Sequence, residues 1–155
     1  MIAYNSLCND LKGLKMRLLC GVLVGVIMVL ASHAWAQSPP PPGAQVFFAN
    51  LQDGATVKSP FLIKFGAQGV KITRAGINIP GTGHHHLLIN TELTAEDKGF
   101  SIPEDARHLH FGGGQTEVEL NLDPGTYTLM MVLGDGDHVP FDPMITSDKI
   151  TITVE

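Results

Sequence analysis

From Gln45 onward, apolar residues recur at every second position in short runs, and glycine, proline, aspartate and asparagine break the runs. A period of two belongs to a strand with one face buried and one solvated. Residues 117–122 show it most strictly: Val118, Leu120 and Leu122 fall on one face, Glu117, Glu119 and Asn121 on the other. Comparable runs cover residues 46–51, 61–65, 69–73, 85–90, 126–133 and 149–154. Residues 94–98 suit one helical turn, and nothing longer reads as a helix. About seven short strands with Gly/Pro turns predict an all-β fold, an antiparallel β-sandwich of immunoglobulin type. Tyr127, just inside the penultimate strand after Pro124-Gly125, fits a tyrosine corner.

Residues 1–36 read differently. Lys12, Lys15 and Arg17 precede an apolar run over 18–30, and Ala34-Trp35-Ala36 matches a small-residue cleavage site. This is the pattern of a secretory signal peptide, with Gln37 as the new N-terminus and Met16 as a second plausible start. The apolar run is shorter than the roughly 20 residues a membrane span needs. Cleavage is therefore expected over retention as an anchor, which predicts a periplasmic or secreted domain with no membrane insertion. Residues 37–44 form a Pro-rich linker, and the sandwich domain spans 45–155. Both cysteines, Cys8 and Cys20, lie in the predicted signal, so the exported domain has no disulfide and no thiolate ligand. It must stand on its hydrophobic core alone, for which 119 residues suffice.

From Gln37 on, 7 Lys and Arg face 14 Asp and Glu, a net charge of 7 − 14 = −7 with histidine neutral. A domain this acidic is a poor nucleic-acid binder and suits cations instead. Its six histidines fall into three groups: His84-His85-His86, His108-Leu109-His110 and His138 in Gly-Asp-Gly-Asp-His-Val-Pro. On a strand, His84 and His86 share a face with Cβ atoms about 7 Å apart, and His108 and His110 repeat the spacing. Two such pairs on neighbouring strands, closed by His138, suit one transition-metal ion. The metal-ligand candidates are thus His84, His86, His108, His110 and His138, with His85, Asp135, Asp137 and Met144 as secondary ones. Imidazole and carboxylate without thiolate suit copper(II) first and zinc second. Met130 and Met131 point to opposite faces of one strand and read as core filler.

Other readings compete. His85 shares a face with Leu87 and Ile89 and suits a core position with a backbone partner. The histidines of the whole set also suit hydrogen bonds that hold loops in an interaction module without any ion. Gly112-Gly113-Gly114 lacks the Lys-Ser/Thr of a phosphate loop, and Asp135-Gly136-Asp137 lacks the later ligands of a calcium loop. No nucleophile elbow, zincin helix or haem motif is present, so the reading leans away from an enzyme. The long charged stretch 91–107 joins two histidine groups, and loops of that length often carry function.

Several phrases together resemble a family of small exported bacterial proteins defined as a domain of unknown function. They include Thr82-Gly83-His84-His85-His86-Leu87-Leu88-Ile89, His108-Leu109-His110-Phe111-Gly112-Gly113-Gly114-Gln115-Thr116-Glu117 and His138-Val139-Pro140. The resemblance implies an exported domain with this histidine pattern and supplies no activity. In that family a further histidine follows the last proline, where this chain has Phe141. The sequence thus predicts a non-catalytic domain that binds copper or zinc for sequestration or delivery, with the metal ion and another periplasmic protein as partners.

Overall fold

The computed structural model describes residues 37–155. The signal-peptide reading, with Cys8, Cys20 and His33, lies outside them. Nine strands form: β1 (Gln45–Phe48), β2 (Thr56–Val57), β3 (Phe61–Gln68), β4 (Lys71–Ile72), β5 (Thr82–Ile89), β6 (His108–His110), β7 (Glu117–Leu120), β8 (Gly125–Gly134) and β9 (Ile150–Val154). Beyond the seven runs expected, β2 and β6 are added, each too short to show a period. Among the described residues the one helical element is a 3-10 turn over Ala95–Asp97, which Thr94 and Asp97 close as a capping box.

Two sheets face each other. One has the order β1-β3-β7; the other runs β2-β9-β8-β5-β4, with β6 also on β5. All longer pairings are antiparallel, as expected, and the two-residue pairings β2–β9 and β4–β5 are parallel. The alternation sorts the side chains. Phe61, Ile63 and Phe65 on β3 are buried while Leu62 and Lys64 are exposed. They meet Leu87, Leu129, Met131, Ile150 and Ile152 of the larger sheet in one apolar cluster. Tyr127 Oη donates to the Asp123 carbonyl at 2.9 Å, the hydrogen bond of a tyrosine corner. Among the described residues no helix is long and apolar enough to cross a membrane.

Strand β5 departs from one-sided burial, because all eight of its residues are buried. Its odd-numbered side chains His85, Leu87 and Ile89 face the core between the sheets. The even-numbered His84, His86 and Leu88 point to the other side of the same sheet. There Leu88 and Val132 pack with Ile102 in a second, smaller apolar cluster. Ile102 comes from the long segment between β5 and β6, so this segment folds over the outer face and buries it.

The segment read as a spacer is docked onto the domain. Gln37 Nε2 donates to the Pro140 carbonyl at 3.0 Å, and Ser38 Oγ donates to Asp135 Oδ2 at 2.9 Å. The Asp142 amide donates to the Ser38 carbonyl at 3.1 Å. Residues 37 and 38 thus run along the loop that follows β8, the loop that carries His138.

Candidate metal centre

Four imidazoles gather on the outer face of the larger sheet. His84 and His86 come from one face of β5. The register pairs His86 with His110 of β6 on one side and with Val132 of β8 on the other, and it pairs His84 with Gly134. The loop after β8 brings His138 over Gly134. Ring centroids lie 4.8 Å apart for His84–His86, 5.0 Å for His84–His110, His84–His138 and His86–His110, and 4.7 Å for His110–His138. One ligand nitrogen each from His84, His110 and His138 lies within 4.8 Å of the others, near enough to hold a metal ion. His86 adds a fourth ring, 6.3 Å from His138 by centroid and with its Nε2 3.0 Å from His84 Nε2.

Local sequence makes this crowding feasible. A Cβ on Gly134 would stand 3.0 Å from His86 Nε2 and 3.3 Å from His138 Cα. A Cβ on Gly112 would stand 2.5 Å from His110 Nε2. Both glycines leave room that any side chain would take. His138 itself has φ of 68°, a left-handed conformation uncommon outside glycine. The loop holds it there: Asp135 Oδ1 accepts the amides of Asp137 and Val139 at 3.0 and 3.1 Å, and Asn78 Nδ2 donates to the Asp137 carboxylate. The Ile102 amide donates to the His138 carbonyl at 2.9 Å. Asp135 and Asp137 thus shape the loop, and neither belongs to the group of close ligand atoms.

The nitrogen inventory is incomplete. Nδ1 of His84, Nδ1 of His86 and Nε2 of His110 are buried without a hydrogen-bond partner. Such orphans are unusual in a folded interior. Burial lowers the His84 pKa to about 4, helped by repulsion from His138 and His110 and opposed by Asp135. Burial lowers that of His86 to about 2, with His84, His110 and His138 adding to it. At neutral pH both rings are uncharged and carry a lone pair, the form a metal requires.

Two expected histidines are not in the group. His108 lies on the same side of β6 as His110, yet it stands opposite Leu88. Its Nδ1 is 2.9 Å from Asp105 Oδ1, which ties it to the end of the long segment. His85 projects into the core, 5.2 Å from the Phe65 ring by centroid. Both of its nitrogens are buried and unpartnered, so the expected backbone partner is missing; burial lowers its pKa to about 4. Met144 is half-buried and follows Pro143 toward Thr146, which bridges Val132. Sequence reasoning missed Glu104, whose Oε2 lies 3.3 Å from His110 Nδ1. The only sequence signal for it was its place in the long charged segment between two histidine groups.

A family model described as a domain of unknown function (DUF4399) matches residues 63–155, a stretch that contains all four gathered rings. No curated protein and no solved structure matches the chain.

Proposed function

We propose, from the premise that the chain belongs to the DUF4399 family, that it is an exported, non-catalytic domain that binds a transition-metal ion. His84, His110 and His138 are the ligands and His86 is the fourth, and the role is sequestration or delivery in the periplasm or outside the cell. The observation that carries this reading is the convergence of four imidazoles on one point: ligand nitrogens of His84, His110 and His138 lie within 4.8 Å of one another, and burial holds His84 and His86 neutral beside them. Around a tetrahedral ion with bonds of about 2.0–2.1 Å, ligand nitrogens stand roughly 3.4 Å apart. His84 and His86 are already at 3.0 Å. The three-ring group, spread over as much as 4.8 Å, reaches the coordination distance with ring rotations of about 1 Å.

Copper(II) is preferred because an all-imidazole set without sulfur suits it and its intrinsic affinity exceeds that of zinc. Hydrogen bonding without metal accounts for His108, which has Asp105, and for the Nε2 contact of His84 with His86, but leaves His110 Nε2 buried without a partner. Calorimetric titration of copper(II) and of zinc(II) into the purified protein tests the reading. Binding tighter than about 10 µM, lost when His84 and His110 are replaced by alanine, is expected. Absence of such binding, or its survival in the double variant, refutes it.

A further inference from the structure

His110 differs from the other three rings in what stands behind it. Its Nε2 is buried and unpartnered, and its ring lies 5.0 Å from that of His86 and 4.7 Å from that of His138 by centroid. Its Nδ1, on the opposite edge, faces Glu104 Oε2 at 3.3 Å. Glu104 is held between two anchors in its own segment. Two residues earlier, the Ile102 amide binds the His138 carbonyl. One residue later, Asp105 Oδ1 accepts the amides of Arg107 and His108 and faces the His108 ring. The segment over 102–108 therefore touches both histidines that reach the group from outside β5, His138 at its backbone carbonyl and His110 at its ring.

We propose that Glu104 is the positioning residue of the histidine group: its carboxylate accepts a hydrogen bond from the Nδ1–H of His110, which keeps the proton on Nδ1 and leaves the Nε2 lone pair free for an ion held with His84 and His138. This rests on the metal-binding reading above and adds to it the choice of tautomer. A neutral imidazole carries one proton on one of two nitrogens, and the hydrogen bond at one nitrogen decides which. A carboxylate behind a ligand histidine fixes both tautomer and ring plane and raises the basicity of the coordinating nitrogen. The Glu104 side chain is 74% exposed, so the pair contributes little to stability. Its effect falls on the orientation of the ring.

The test compares E104A and E104Q with the wild-type protein by three measurements. Nitrogen-15 NMR without added metal reads the His110 tautomer, titration with zinc(II) and copper(II) reads affinity, and thermal melting reads the fold. In the wild-type protein His110 carries its proton on Nδ1. E104A is expected to mix the tautomers and weaken ion binding about 10- to 100-fold, with an unchanged melting temperature. E104Q keeps an acceptor oxygen and is expected to retain the tautomer and recover most of the affinity. A wild-type tautomer in E104A, together with affinity within about threefold of wild type, overturns the assignment. A lower melting temperature with unchanged affinity also overturns it, in favour of a structural pair. If the wild-type protein binds neither ion while E104A still loses the tautomer, the metal reading falls and the orienting role of Glu104 stands.

Discussion

Substituting Gly112 by alanine should damage the histidine group without touching a ligand. The backbone at Gly112 is not in the positive-φ region, so alanine suits the chain there. On conformational entropy alone the change would stabilise by about 0.4–1 kcal/mol. The new methyl, however, would stand 2.5 Å from His110 Nε2, where ordinary contact begins at 3.4 Å. The ring must retreat by about 1 Å, half the length of a metal–nitrogen bond of about 2 Å. Its opposite edge faces Glu104, and His86 and His138 flank it, so the retreat carries Nε2 out of the group. Overpacking of this kind costs about 1–3 kcal/mol, so a small net loss of stability is expected. Ion affinity should fall at least tenfold, about 1.4 kcal/mol, much as in His110→Ala. Gly113→Ala is the control, because the nearest atoms its methyl would meet are those of the Gln115 side-chain tip at 3.0 to 3.1 Å. Titration calorimetry with copper(II) and zinc(II) on both variants measures the difference. Wild-type affinity in Gly112→Ala would show that His110 does not coordinate through Nε2.

Three further outcomes follow from the same geometry. Replacing His85 by leucine removes two unpartnered buried nitrogens from apolar surroundings, and urea denaturation should show a gain of about 1–2 kcal/mol with ion binding unchanged; a loss of stability would mean that the ring has a polar partner. Replacing His108 by alanine should leave ion affinity within about threefold, or 0.65 kcal/mol, whereas His84→Ala abolishes binding; equal losses would place His108 in the group. The folded pKa values of His84 and His85 (about 4) and His86 (about 2) lie below the usual 6.5. The unfolded chain therefore binds protons first, and this stability is complete above pH 6.5 and declines as pH falls toward 4. The slope reaches at most about 1.4 kcal/mol per pH unit for each ring, and a denaturation midpoint that stays flat between pH 7 and 4.5 would contradict the burial of these rings.

The strands and the faces of β5 were legible because period-two alternation decides them locally. His84 and His86 had to share a side, and His85 had to share the other with Leu87 and Ile89. Partner and register were not legible. The His-x-His argument applies equally to β6, yet pairing His86 with His110 places His108 opposite Leu88, where Asp105 takes its ring. A three-residue strand carries no pattern that sets this register. The Pro-rich segment illustrates a similar limit. Its composition predicts stiffness, and stiffness is compatible with standing free or with lying along a surface; Ser38 and Asp135 decide it, and they are 97 residues apart. Glu104 was hidden for the same reason, since one carboxylate in an acidic loop looks like its neighbours until the fold brings it to His110.

Burial and function are linked through the proton. Four imidazoles at ring distances near 5 Å would repel one another if charged, and the sheet and its covering segment remove the water that would screen them. Both effects hold His84 and His86 neutral at pH 7, where a solvated histidine is already mostly neutral, and keep them so well into the acid range. The result is a set of lone pairs that need shed no proton at His84 or His86 to receive a cation above about pH 4. The same burial leaves the far nitrogens of these two rings without water, an unfavourable arrangement that the ion-free fold must offset with the apolar packing of Leu87 and Ile89 on one side and Leu88 and Val132 on the other. Coordination does not repair those far nitrogens, but it engages the inward ones and, by binding only the folded state, stabilises it. At an ion concentration 100 times the dissociation constant that amounts to about 2.7 kcal/mol. A melting temperature that rises with copper(II) concentration in the wild-type protein, and not in His84→Ala, is the signature of this linkage. A rise of equal size in both would assign the effect to ions on the acidic surface.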